Sequence, residues 1–261
     1  PSIKSTIQSE EGEVIDCVDI YKQPAFDHPL TNDLQYAQIS QKAGIYHGAK
    51  ATINVWNPKI EAGAGGEYSI SHVSVLSMDI RASPPGLNFV EAGWIVSPGM
   101  FNDTRTRFFA YWTTDNSLTT GCFNLNCPGF VQTTQKFAMG SAIEPLSIYD
   151  GPSYNIAMAI YKPMGGTYVT WGGEIINSRS AEHHTATQMG SGHFPGEGYR
   201  KASYFGKLKV IDDTETEKEP DDLEVVVSNS RCYDVHIQDN KTVSYGLVFF
   251  YGGPGYSPDC P

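Results

Sequence analysis

Helical periodicity is almost absent from this chain. Across its 261 residues, apolar positions do not recur at the three- and four-residue spacing of an amphipathic helix, which excludes a helical bundle. Positive charge is scarce too: 18 Lys and Arg stand against 29 Asp and Glu, giving a net charge of −11. Nucleic-acid binding needs clustered cations that release counterions from phosphates, so this balance argues against such a partner. No apolar run reaches the length of a membrane helix, and no membrane partner is expected. No Ser sits in a nucleophile elbow, and the acidic stretch 212–222 lacks the Gly-centred spacing of a calcium loop, so it reads as a solvated loop. His183, His184 and His193 lack the helical pair spacing of a zinc protease and read as loop or strand-end residues. Neither a metal nor a cofactor is expected.

What is present is β-forming. Short runs rich in Val, Ile, Tyr, Phe and Trp recur between clusters of Gly, Pro, Asn and Asp, at 51–56, 68–80, 88–96, 106–113, 129–133, 154–162, 167–176, 185–189, 202–211, 223–227 and 243–251. Many short strands with turn signals between them predict an all-β antiparallel sandwich or jelly roll. Residues 1–30 differ: polar, acidic and broken by Pro24 and Pro29, they read as an appended segment with a few apolar anchors. Residues 31–47 read as a linker, and the β-rich domain is expected over 48–261. Trp56, Trp94, Trp112 and Trp171 are expected in the core.

Five cysteines leave one without an intramolecular partner in an oxidising compartment. Cys122 and Cys127 bracket the turn-like "GCFNLNCPG", where a short disulfide loop is sterically possible, and Cys260 can pin the tail to Cys232. Cys17 is then the orphan. Five reduced thiols are the alternative. Sequons at Asn102 and Asn240 are candidate glycosylation sites and accord with secretion.

Two strands carry a carboxylate mid-run. In "NFVEAGWIVSP" (88–98), alternation puts Phe89, Glu91, Gly93 and Ile95 on one face and Val90, Ala92, Trp94 and Val96 on the better core face. In "TYVTWGGEIIN" (167–177), Glu174 shares a face with Tyr168, Thr170, Gly172 and Ile176 unless the Gly pair makes a bulge; otherwise the pair marks a close approach. Both glutamates therefore point away from the core, onto what a curved sheet makes the floor of a groove. Two carboxylates there do not ionise independently, which leaves an acid and a base available together. Glu197, between glycines in "FPGEGYR", reads as a loop residue.

The motifs "SEEGEVIDCVDIYKQPAFDHP", "GAKATINVWNP", "VEAGWIVSP", "TGCFNLNCPGF", "WGGEIINS", "TQMGSGHFPGEGYRKASYF" and "FFYGGPG" follow one another in order, and the chain resembles the neprosin family through them. The resemblance implies a secreted plant-type glutamic endopeptidase with a concanavalin-like β-sandwich. Such an enzyme is made as a zymogen and cleaves after proline at acidic pH. It assigns the catalytic pair to Glu91 and Glu174 and matches the pairs Cys122–Cys127 and Cys232–Cys260. The implied partners are proline-containing peptides, with the N-terminal segment as an intramolecular inhibitor and the protein a monomer. Two stretches are shorter than in the members it resembles: the one after Pro29, and "MGGTYV" between "IYKP" and "TWGGE". A β-sandwich binding module that has lost catalytic geometry is thus one alternative, and a glycoside hydrolase using the same carboxylates is another.

Overall fold

A computed structural model of the chain describes residues 3–8, 14–18, 33–41, 44–61, 66–79, 86–115, 117–178, 183–238 and 246–261. Fifteen strands are present among them: β1 (Ile3–Gln8), β2 (Val14–Val18), β3 (Asp33–Gln41), β4 (Tyr46–Asn54), β5 (Ser69–Asp79), β6 (Gly86–Val96), β7 (Arg107–Thr113), β8 (Cys122–Phe123), β9 (Asn155–Gly166), β10 (Tyr168–Asn177), β11 (Ser203–Asp212), β12 (Glu217–Lys218), β13 (Leu223–Val227), β14 (Asp234–Gln238) and β15 (Val248–Gly252). One helical turn, α1 (Pro98–Phe101), links β6 to β7.

The strands form an antiparallel sandwich. One sheet runs β13-β3-β10-β5-β6-β7-β8 and the other β14-β15-β11-β4-β9, while β1 and β2 make a two-stranded sheet of their own. Alternation explains the layering, since Trp94 and Trp171 project from β6 and β10 into the space between the sheets and are fully buried with Phe205, Phe249 and Tyr251. Each such aromatic removes enough apolar surface to contribute about 1.5–3 kcal/mol. The indole N–H groups add direction: Trp94 donates to the Asn54 carbonyl at 3.0 Å and Trp171 to the Lys50 carbonyl at 3.3 Å, both on β4. The two strands that carry Glu91 and Glu174 are thereby tied to one strand of the opposite sheet. Trp56 is buried as expected, and Trp112 is partly buried beside Gly129.

Three expectations need correction. Residues 31–47 are not a linker: β3 lies between β10 and β13, pairs with both, and buries Ala37 and Ile39 completely. On its other face Tyr36, Gln38 and Ser40 line a groove, and Gln35 and Gln41 are polar on the parity of Ala37 and Ile39, so the strand is hidden from a search for apolar alternation. Residues 129–133 are a loop with Val131 exposed. Residues 185–189 do alternate, with Thr185, Thr187 and Met189 buried, but no ladder forms along them. The hydroxyls of Thr185 and Thr187 instead bond the buried Glu67 carboxylate.

Both expected disulfides are present, Cys122–Cys127 with Cα atoms 5.7 Å apart and Cys232–Cys260 at 5.2 Å. Cys17 lies on β2. Its side chain, like Asn240, falls outside the described residues.

Candidate active site

β5 is the strand between β10 and β6, and its register fixes the site. Glu91 pairs with Ser74, Glu174 pairs with Ile70, and His72 lies in the row between them. In that row His72 is flanked by Gly172 on β10 and Gly93 on β6. Neither glycine can be replaced without displacing backbone. A Cβ at Gly93 would lie 1.8 Å from the Ser71 carbonyl oxygen, and one at Gly172 would lie 2.5 Å from that of Ala37. β10 pairs with both neighbours without a register shift, so the Gly pair marks close approach rather than a bulge, and Glu174 keeps the predicted face. The short "MGGTYV" connection joins β9 directly to β10 and leaves that register intact.

The result is a groove of about 380 Å3 on the outer face of the seven-stranded sheet, lined by Glu91, Glu174 and His72. Tyr36 and Gln38 come to it from β3, and Val226 from β13 forms part of its edge. Beyond Glu91 its wall is apolar, made by Leu76, Leu87 and Phe89. The structure thus brings together the two glutamates that the sequence singled out.

The two carboxylates have unequal surroundings. Glu174 accepts a hydrogen bond from the Tyr68 hydroxyl at 2.5 Å. Burial pushes its pKa up to about 7, reinforced by the Glu91 charge and opposed by His72 and the Tyr68 bond. Glu91 is 8% exposed, and its Oε2 lies 2.8 Å from Nδ1 of His72. Burial alone would lower the His72 pKa, but the charge and hydrogen bond of Glu91, with Glu174 behind them, hold it above the usual value. The phenols of Tyr36 and Tyr68 are both raised, chiefly by burial and then by Glu174, so each stays a protonated donor at the groove. Chemically, the groove holds a buried acid that keeps its proton to near neutrality and a second carboxylate paired with an imidazole.

Sequence reasoning missed His72, Tyr68, Tyr36 and Gln38. A signal exists for His72, because alternation places Tyr68, Ile70, His72 and Ser74 on one face of a strand whose other face carries Val73 and Val75. Glu67 was also missed. It accepts bonds from the Ser178 backbone and hydroxyl at 3.0 and 2.6 Å and from both threonines, anchoring the turn that presents Tyr68.

The remaining predicted residues lie elsewhere. Glu197 sits in a 3₁₀ turn, where it accepts from Tyr149 and contacts His193, each at 2.8 Å. His184 approaches Cys232 and Cys260, whose sulfurs are bonded to each other. Asn102 is exposed at the end of α1.

Comparison with solved structures finds scytalido-glutamic peptidase twice: once with a transition state analog inhibitor (13% identity, TM-score 0.39) and once with a peptide-based transition state analog (12%, 0.38). Each alignment covers 86% of this chain and 100% of the other. Two family descriptions match the sequence. The neprosin activation peptide matches residues 6–58, reaching through β3 and β4, and Neprosin matches 65–166 and 163–254, the two parts meeting at the short β9–β10 connection. The chain belongs to the neprosin family.

Proposed function

We propose that this protein is a secreted glutamic endopeptidase that cleaves on the carboxyl side of proline at acidic pH, with Glu91 and Glu174 as its catalytic pair. The observation that carries the reading is the pairing of two carboxylates in one groove with unequal surroundings, one hydrogen-bonded by Tyr68 and the other by His72. Hydrolysis of an amide needs both partners at once: a carboxylate to take a proton from water, and a carboxylic acid to polarise the carbonyl and then protonate the departing amine. Membership of the neprosin family supports the same chemistry.

The finer points rest on the groove. Leu76, Leu87 and Phe89 beside Glu91 offer an apolar wall suited to a pyrrolidine ring. A protonated carboxyl, which Glu174 supplies below about 7, supports activity on the acidic side of neutrality. Two disulfides and the exposed Asn102 accord with secretion. The activation-peptide match supports a zymogen in which the N-terminal segment restrains the enzyme until acid releases it. No cofactor is invoked, and a monomer is the working state.

A set of peptides differing only at one position, proline against alanine, glycine and leucine, tests the specificity by mass spectrometry at about pH 3, below the ordinary Glu pKa. Cleavage confined to the proline peptide supports the reading. Equal cleavage of all four removes the proline preference, and release of sugar from glycans instead of peptide cleavage replaces it with glycosidase chemistry.

A further inference from the structure

His72 is bound at both ring nitrogens. Nδ1 lies 2.8 Å from Oε2 of Glu91, and Nε2 lies 3.1 Å from the side-chain nitrogen of Gln38. His72 is 4% exposed and Gln38 6%, so neither has ready access to bulk water as a substitute partner. In this arrangement the Gln38 amide donates to Nε2, Nε2 accepts, and the ring proton sits on Nδ1, where it is donated to Glu91. Protonation of the ring puts a second proton on Nε2. A half-turn of the Gln38 amide then presents its oxygen to that proton, and the Nδ1–H···Glu91 bond is unchanged. Gln38 can serve both protonation states, and in both the Nδ1 proton faces Glu91.

We infer that His72, held by Gln38, is a positioning residue that commits Glu91 to accept the proton of the attacking water and leaves Glu174 to donate one. The inference rests on the peptidase reading and assigns roles within it. A carboxylate oxygen that already accepts from Nδ1 is fixed as an acceptor, and the residue that carries it lines the groove. Glu174 has the opposite surroundings, a neutral phenol donor and no imidazole contact in hydrogen-bonding range among the described bonds. In the reaction, water oxygen bonds to the carbonyl carbon as Glu91 takes the water proton, and the carbonyl π pair moves to oxygen under the Glu174 proton. The oxygen pair then returns to carbon and restores the C=O as the C–N bond breaks with its electron pair going to nitrogen, which takes the proton from Glu174. Acid and amine leave, Glu91 is protonated and Glu174 ionised, and a proton passing from one to the other restores the start.

Charge supports the assignment. His72 is the one basic side chain among the described residues that line the groove. The titratable groups around it are Glu91 from β6, Glu174 from β10, Tyr36 from β3, Tyr68 immediately before its own strand, and Tyr111 from β7, which pairs with Glu91. With the phenols neutral, an imidazolium there faces only the two carboxylates, and the hydrogen-bonded one gains most. The neighbouring glycines give the ring its place, since a side chain at Gly93 or Gly172 would stand in the same row.

Long-range proton–nitrogen NMR of the His72 ring across pH, in the full chain and in Glu91→Gln, tests the contact directly. The neutral ring is expected to carry its proton on Nδ1, and its titration is expected to fall by about one pH unit or more when the Glu91 charge is removed. A proton on Nε2, or a titration indifferent to Glu91→Gln, overturns the inference whether or not the protein cleaves peptides. The role is then read from the pH profile of kcat/KM. His72→Asn keeps an amide donor near the Nδ1 position but cannot become charged, so the acid limb is expected to move up by about one unit or more. An unmoved acid limb in a folded variant contradicts the assigned role. If His72→Asn does not fold, Gln38→Met removes only the partner of Nε2, and a smaller shift in the same direction is expected; no shift is the contradicting result. Absence of cleavage by the wild-type chain at every pH overturns the peptidase reading itself and the catalytic role with it, while the NMR result still decides the His72–Glu91 contact.

Discussion

Tyr68, the residue immediately before β5, donates its hydroxyl at 2.5 Å to Glu174 on the adjacent strand β10. A hydrogen bond to a carboxylate favours the ionised form, and here it opposes the upward push of burial. Removing the hydroxyl in Tyr68→Phe is therefore expected to move the alkaline limb of the pH–activity profile upward by about one unit, because a bond to a charged group is worth about 1.5–3 kcal/mol. A profile that stays in place means this bond does not shape the reactive pair.

The same carboxyl makes stability depend on pH. Its pKa rises from 4.5 in the unfolded chain to about 7 in the fold. With a raised value, the stabilising contribution is present in full below 4.5 and is lost as pH rises through about 7. His72, raised above 6.5, acts in the same direction over a higher window. Urea unfolding at about pH 5 and about pH 8 is expected to show a loss of up to about 3 kcal/mol in the wild type that Glu174→Gln largely removes. An equal loss in the variant would assign the effect to other groups.

Gly93→Ala is expected to destabilise the protein by about 1–3 kcal/mol or to prevent folding, since its methyl meets the Ser71 carbonyl of the paired strand rather than a movable side chain. The thermal midpoint measures the effect. A variant as stable as the wild type would show that β5 and β6 can separate at this row.

Truncation separates the appended segment from the sheet. Removal of residues 1–30 leaves β3 in place, and the fold and groove are expected to survive. Removal of residues 1–47 takes away the strand between β10 and β13, the buried Ala37 and Ile39, and the groove residues Tyr36 and Gln38. The shorter product is expected to be insoluble or unfolded by circular dichroism. A folded, soluble product would contradict the placement of β3.

Much of this was legible before the structure, and the reason is local. Glu91 and Glu174 each lie three residues from a tryptophan, on the opposite parity of a short strand, so alternation alone sends the indole to the core and the carboxylate to the outer face. Both disulfides accord with chain spacing. His72, Tyr36 and Gln38 were not legible because their meaning comes from sheet order, which sets β3, β10, β5 and β6 side by side although they are distant in sequence. β3 was hidden for the same reason: "DLQYAQISQ" offers small or polar residues at most positions, and Gln41 is satisfied by Asp221 rather than by apolar packing. Residues 185–189 show the converse, since true alternation there serves hydrogen bonds to Glu67 instead of a ladder.

The most direct test of the account is cleavage of a proline-containing peptide by the wild type, Glu91→Gln and Glu174→Gln, each shown to be folded, followed by mass spectrometry at about pH 3. The account predicts cleavage after proline by the wild type and a fall of at least about a thousandfold in each variant, because neither half of the acid–base pair works without the other. Cleavage that persists in either variant would contradict the assignment of Glu91 and Glu174. A folded wild type that cleaves nothing, even with residues 1–30 removed, would leave a groove that binds without catalysing.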